Sequence, residues 1–180
     1  ELHVRLSDSA LILRAYERWG TTCVERLVGA FAFAIWDARA RTLFCGRDHI
    51  GLRPLLYVDT PRFFAFASDI RGVLAYPLVP RNLHEPLLAA CLQQSTYTAE
   101  KRLTFYEGVV KLPPAHRLTV TAETSRLARY WSPEDAPEVR LPSLAAYAER
   151  LRELLDEAVR CRVRTTYPVG SHLSGGLDSS

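Results

Sequence analysis

The sequence predicts an α+β fold, a mainly antiparallel domain with helices, followed by the opening helix, strand and glycine loop of a second, α/β unit. Three observations carry this. Short strand-like segments joined by turns fill residues 31–68, and an acidic, proline-rich stretch breaks the packing pattern at 132–142. A long amphipathic segment over 144–164 then leads into an apolar run that stops abruptly at Ser174-Gly175-Gly176. The expected organisation is a first domain over 1–131, a linker over 132–142 and the start of a second domain over 143–180.

Composition narrows the class. A chain of 180 residues, 48% hydrophobic and 24% charged, can bury a sizeable core. The net charge of +3 comes from arginines scattered along the chain without a basic run, which points to a solvated surface and away from nucleic acid. No apolar run approaches the roughly 18–20 residues of a membrane span, and no segment resembles a signal peptide. Cys23, Cys45, Cys91 and Cys161 sit among apolar neighbours with no CxxC or zinc spacing, so all four are expected as small buried core residues in a reducing cytoplasm. The chain starts at Glu1 and contains no methionine, and we expect it to be a piece of a longer protein, cut at both ends.

Taken in order, residues 10–19 place Leu11, Ile12, Ala15, Tyr16 and Trp19 at helical spacing, with Ser7, Asp8 or Ser9 as N-cap and Gly20 as the stop. A second short helix is expected over 23–27. In 31–37, Phe31, Phe33 and Ile35 share one face and Ala32, Ala34 and Trp36 the other, so this strand should be covered on both sides. Further strands over 42–47, 55–58 and 63–68 extend it into an antiparallel meander. Helices are expected over 69–75 and 83–92, a polar loop over 93–102, and strands over 103–110 and 116–120 flanking Pro113-Pro114. In the second domain, Leu151, Leu154, Leu155 and Val159 form one stripe of the helix, and the run over 169–173 reads as a buried strand.

The last seven residues carry the clearest chemistry. Paired glycines let backbone N–H groups approach a ligand with no Cβ in the way. Leu177-Asp178-Ser179-Ser180 reads as the first turn of a helix, whose unpaired donors and dipole favour an anion. A tight turn with a capped helix accounts for the same residues structurally. No Gly-Lys-Ser/Thr follows, so this is not a Walker A loop. A nucleophile elbow around Ser174 would need glycine where the chain has His172.

The loop resembles the PP-loop of the ATP pyrophosphatase family, and the resemblance runs back along the chain. Residues 31–37, FAFAIWD, look like the corresponding strand of asparagine synthetases, and RDHIGLRPLLY, 47–57, is similar to the RDxxGxRPLYY segment of class II glutamine amidotransferase domains. FASDI (66–70) resembles their FASEI, KLPPAH (111–116) their KLPPGH, and Tyr130-Trp131 their closing YW. With these motifs in family order, the chain is identified as a member of the asparagine synthetase family.

That resemblance implies an Ntn-type glutaminase domain followed by a PP-loop synthetase domain. The first releases ammonia from glutamine with an N-terminal cysteine, which would lie upstream of Glu1, so no catalytic residue is expected within this chain. The second activates aspartate with ATP and Mg²⁺ to β-aspartyl-AMP, and ammonia converts it to asparagine, AMP and pyrophosphate, with glutamate as the other product. By the same resemblance Asp8 holds the α-ammonium of glutamine, although an N-cap role is open to it. Leu173, Ser174, Gly175, Gly176, Asp178, Ser179 and Ser180 hold the nucleotide and pyrophosphate. Mg²⁺ travels with ATP, so no protein metal site is expected. Glutamine, aspartate and ATP are the implied small-molecule partners, with no nucleic acid or membrane; a homodimer is compatible with this. Arg47, Asp48, Gly51, Arg53 and Pro54 are expected to fix the glutaminase loop and domain contacts without taking part in chemistry, and His116 and His172 to be structural.

The chain departs from the family pattern at Ala115, where glycine is usual, at the entry 165–170, at His172, and in 93–102, which lacks Gly-Tyr-x-Pro. The alternative function is an ATP-dependent intramolecular amide-forming cyclase of the β-lactam synthetase or lasso-peptide cyclase type, with a silent glutaminase domain. A non-catalytic regulatory protein is the third class.

Overall fold

In the computed structural model, which describes residues 7–93, 101–163, 165–171 and 174–176, the first helix, α1 (Asp8–Trp19), starts under Ser7. The Ser7 hydroxyl accepts from the Ala10 N–H at 3.3 Å. Gly20, at φ 59°, ends it. The chain continues as a 3-10 helix over Gly20–Arg26, where the spacing suggested a separate short helix. Trp19 lies between the guanidinium groups of Arg18 and Arg26, 5.1 and 5.0 Å from its ring.

Among the described residues seven short strands follow: β1 (Ala32–Asp37), β2 (Thr42–Arg47), β3 (Leu56–Asp59), β4 (Phe64–Ala67), β5 (Val110–Lys111), β6 (His116–Val120) and β7 (Ser125–Arg129). They do not form one meander. The β1–β2 hairpin belongs to a four-stranded sheet ordered β1-β2-β6-β7, and the β3–β4 hairpin to a three-stranded sheet ordered β4-β3-β5. Every pairing is antiparallel. The loop over 48–55 separates the two hairpins, and β6 returns from far along the chain to pair with β2, which no local pattern announces.

Side-chain alternation then builds four layers. Cys45, Leu118 and Val120 from the first sheet meet Tyr57 of the second, with Leu55 and Leu112 from the residues flanking its strands, in a core between the sheets. The other face of the first sheet carries Phe44, which packs with Ala15, Cys23 and Val24 from α1 and the 3-10 helix. The other face of the second sheet carries Leu56 and Val58, which pack with Val73 of α2 (Ile70–Leu74) and with Val79 and Val109. The result is helix, sheet, sheet, helix, an α+β architecture. β1 contributes Phe33 and Ile35 to one core and Ala32 and Ala34 to another, so both its faces are used, but Trp36 is 61% exposed at its end. Contact between β2 and the 3-10 helix is so close that a Cβ on Gly46 would lie 2.7 Å from Val24 Cγ1 and 2.8 Å from Phe33 Cζ.

Several expectations need correction. The helix near 83–92 is α3 (Glu85–Leu92), with the His84 ring as its N-cap. Instead of a strand over 103–110 there are isolated bridges, Leu83 to Tyr106 and Leu103 to Val110, because a turn at Gly108 (φ 75°) interrupts the run. β7 was missed because Arg126 and Arg129 make it polar, as befits a sheet edge, and only Leu127 reaches the core. Cys23 and Cys45 are buried, the latter with its thiol pushed up to about 12 by burial, whereas Cys91 and Cys161 are exposed. Only Leu87 is buried in the helix that carries Cys91, and the helix that carries Cys161 buries none of its residues.

The chain divides into two compact units, Glu1–Ala136 and Pro137–Ser180. The second is built on α4 (Leu144–Arg162), capped by Ser143 and entered through a clasp in which the Tyr147 hydroxyl accepts from Leu141 N–H and donates to Val139 O. Leu151, Leu154, Leu155 and Val159 line up as expected, but within this unit none is buried. The described residues 165–171 form no strand and Val169 is exposed, against the expected buried run: a strand needs a neighbour to pair with, and no other strand lies in this unit's described residues.

Candidate functional site

Asp8 is the first residue of α1. The N-cap is Ser7, so the role of Asp8 at this terminus is limited to the favourable charge of a first-turn acid. Its side chain is exposed and makes no hydrogen bond or ion pair among the described residues. A carboxylate in this state can receive an ammonium group.

The segment 47–53 is the most densely tied part of the first unit. Asp48 is 1% exposed, and its carboxylate accepts from the N–H groups of Leu52 at 2.9 Å, Arg53 at 3.0 Å and Ile50 at 3.3 Å. Burial acts to raise the pKa of this carboxyl, but these backbone donors outweigh it and hold the group below the ordinary carboxylate value. The Arg47 guanidinium spans the loop, donating to the carbonyls of Arg53 and Gly51, each at 2.7 Å, and of Leu112. Gly51 takes φ 70°, and a Cβ there would meet Pro114 Cγ at 2.9 Å and Arg47 Cζ at 3.0 Å.

Two further residues lock this loop to the strands behind it. The Ala115 N–H donates to Asp48 O at 2.9 Å, and the Tyr130 hydroxyl donates to Arg47 O at 2.7 Å. Burial, and then the nearby Asp48 carboxylate, push the Tyr130 phenol well above its usual pKa, so it stays a donor. Ala115 sits at φ 55°, the backbone state that explains glycine at this place in the family pattern. The expectation that Arg47, Asp48, Gly51 and Arg53 fix a loop agrees with this network. Tyr130 went unrecognised as part of it, since nothing near it in sequence reveals a partner 83 residues away.

Of the seven residues expected at the nucleotide loop, Leu173, Asp178, Ser179 and Ser180 lie outside the described residues, as does His172. Ser174, Gly175 and Gly176 are described and exposed; the Gly176 N–H donates to the Ser174 hydroxyl at 3.4 Å. Gly175 is left-handed at φ 77°, and among the described residues nothing lies within 4 Å of the place its Cβ would take. Open space above a glycine backbone is what a phosphate requires for close approach, so these residues fit an anion of that kind. Asp8 belongs to the first unit and this loop to the second. Among the described residues, no helix is long and apolar enough to cross a membrane.

Comparison with known proteins adds identity to this geometry. Residues 3–131 match the family model of the glutamine amidotransferase domain, and residues 150–180 match that of asparagine synthase. A glutamine-hydrolyzing asparagine synthetase of Bacillus subtilis is 32% identical over 98% of the chain, which covers 28% of that relative. The amidase chry2 of Gibberella zeae is 33% identical over 97% of the chain and 26% of its own length. A putative asparagine synthetase of Methanocaldococcus jannaschii is 29% identical over 97% of the chain and 34% of its own length. The chain thus spans about a quarter to a third of the curated relatives it matches.

Proposed function

The chain belongs to the asparagine synthetase family of glutamine amidotransferases, and from that premise we propose that the whole protein makes an amide from aspartate, using ATP and ammonia taken from glutamine. The observation that carries this reading is the order of the two matches in one chain, a glutamine amidotransferase domain over 3–131 and the start of an asparagine synthase domain over 150–180.

Within this reading, the first unit is the glutaminase side, of Ntn type. The Asp8 carboxylate pairs with the α-ammonium of glutamine, and the 47–53 loop, saturated by its own backbone bonds, gives that domain a fixed wall. Ser174, Gly175 and Gly176 hold the phosphates of ATP, with Leu173, Asp178, Ser179 and Ser180 completing the loop. Mg²⁺ bound to the phosphates would offset their charge. The carboxylate oxygen of aspartate displaces pyrophosphate from the α-phosphorus, and ammonia then displaces AMP from the acyl carbon. With the one water that hydrolyses glutamine to glutamate and ammonia, the products asparagine, AMP, pyrophosphate and glutamate account for all the atoms.

A second reading has support of its own: two relatives named amidases, from Gibberella zeae and Penicillium rubens, match 97% and 98% of the chain at 33% and 31% identity. The same scaffold therefore serves proteins with other names, and an internal amine in place of ammonia would make the product a ring. One assay separates the readings. The whole protein is given ATP, Mg²⁺, glutamine and aspartate, and both pyrophosphate and asparagine are measured. Both should appear, and both should require aspartate; pyrophosphate released without aspartate would overturn the first reading. In the same assay Asp8→Asn should raise KM for glutamine about tenfold or more, the loss of one charge-assisted contact, and leave synthesis driven by added ammonia unchanged.

A further inference from the structure

We propose that the first unit carries a second anion site, separate from the glycine loop, which takes a small phosphate-class dianion. It lies in a pocket of about 490 Å³ where the Pro113-Pro114 turn, the end of β7 and the start of the segment after Trp131 meet.

The lining is strongly one-signed. Lys101, Arg102 and Arg129 bring three cationic side chains to it, and His49 and His116 add two imidazoles, against the single carboxylate of Glu134. Neither Lys101 nor Arg129 makes an ion pair among the described residues, and Glu134 pairs with neither. Arg129 stands directly across the β6–β7 ladder from His116, so a guanidinium and an imidazole share one face at the closest cross-strand spacing. Such a pairing is unfavourable once both are charged, unless an anion lies between them.

A second feature is independent of charge. Ser132 lines the same pocket and is only 2% exposed, yet its hydroxyl makes no hydrogen bond among the described residues. An oxyanion in the pocket would give that hydroxyl an acceptor.

The walls are also fixed in advance. The His116 ring bonds Pro114 O through Nδ1 at 2.7 Å, which turns Nε2 away from that bond. His49 is held edge-on against the rings of Trp131 and Tyr130, at 5.1 and 5.4 Å. Tyr130 is bound to Ala115 O and Arg47 O, tying the pocket to the rigid 47–53 loop. A ligand here would meet groups already in place.

The test titrates inorganic phosphate, and in a parallel arm glycerol 2-phosphate, into the whole protein at low ionic strength, with binding followed by calorimetry. Arg129→Gln and Lys101→Gln, both changes of exposed side chains, should each weaken binding about tenfold. Ser174→Ala, in the glycine loop of the other unit, should leave this binding in place, and so should Arg14→Gln on α1. The arm that binds more tightly identifies the free anion or a phosphate ester as the ligand class. No binding in either arm, binding insensitive to both Arg129→Gln and Lys101→Gln, or binding abolished by Ser174→Ala would overturn the proposal. None of these readouts depends on whether aspartate is the substrate of the whole protein.

Discussion

Among the glycines with positive φ, Gly51 and Gly175 sit in loops whose surroundings are opposite. Around Gly51 the Arg47 and Asp48 side chains are engaged inside the protein: Asp48 takes three backbone donors, and Arg47 gives to three carbonyls. Around Gly175 no described residue comes within 4 Å of where a Cβ would stand, and Ser174, Gly175 and Gly176 are exposed. The first glycine exists because neighbours crowd it, the second because a ligand needs access. A motif made of charged residues and glycine is therefore not by itself a site: the RD-x-x-G segment spends its charges on its own backbone, and the Ser-Gly-Gly segment leaves its surface for something else.

The largest expected effect tests the closed loop. Asp48→Asn keeps the shape but replaces one acceptor oxygen with a donor, so one of the N–H groups it served would face another N–H in a buried place. The expected cost is about 2–3 kcal/mol at pH 7, read from urea unfolding. The pH dependence has a definite sign. The folded-state pKa of Asp48 is depressed, so its stabilising contribution is complete above the unfolded-state value of about 3.9 and is lost as pH falls through the lower folded value. Wild type and Asp48→Asn should therefore converge in stability near the acid end. A gap that stays constant down to pH 2 would show that packing, not the charge, distinguishes them.

The two glycines give the next contrast. Gly51→Ala combines a left-handed alanine, about 1–2 kcal/mol, with a Cβ forced against Pro114 and the Arg47 guanidinium. A loss near 2 kcal/mol is expected, with the first unit unfolding earlier in urea. Gly175→Ala has the same backbone strain and no neighbour to displace. Its stability cost should stay below about 1 kcal/mol because an exposed loop can relax, while ATP-dependent pyrophosphate release by the whole protein falls at least tenfold. If Gly175→Ala lowered stability as much as Gly51→Ala and spared turnover, the distinction between the loops would fail.

How far the sequence reveals this can be argued from the same residues. The local signals read well: Ser7 and Gly20 bound α1, Asp69 caps α2, and 42–47 and 116–120 are strands, because caps and period-two alternation act over a few residues. What failed depends on distant partners. Nothing around Leu43 announces that it pairs with Val120, so one meander was expected where two sheets occur. The same distance hides the link from Tyr130 to Arg47, and it hides the pocket lined by His49, Arg102, His116 and Arg129, two guanidinium groups and two imidazoles that no window of sequence contains together. The family motifs point to a loop-fixing role for Arg47, Asp48 and Gly51, and the fold shows how: the Arg47 and Asp48 side chains are spent on backbone groups.

Ala115 tests the closed loop at its finest scale. It stands at φ 55° where glycine is usual, and it is buried, with its N–H on Asp48 O and its carbonyl receiving the Tyr130 N–H. Ala115→Gly would release roughly 1–2 kcal/mol of left-handed strain. It would also remove a buried methyl, about 0.8 kcal/mol, and loosen the unfolded chain by about 0.4–1 kcal/mol. These terms nearly cancel, so the expected change is under about 0.5 kcal/mol, the smallest in the set, which is why alanine can occupy this place at all. A gain of more than about 1 kcal/mol would mean the methyl adds little packing against its neighbours. In that case the loop is held by hydrogen bonds alone, and the closeness of Gly51 to Pro114 would have to be relieved more easily than the Gly51→Ala prediction assumes.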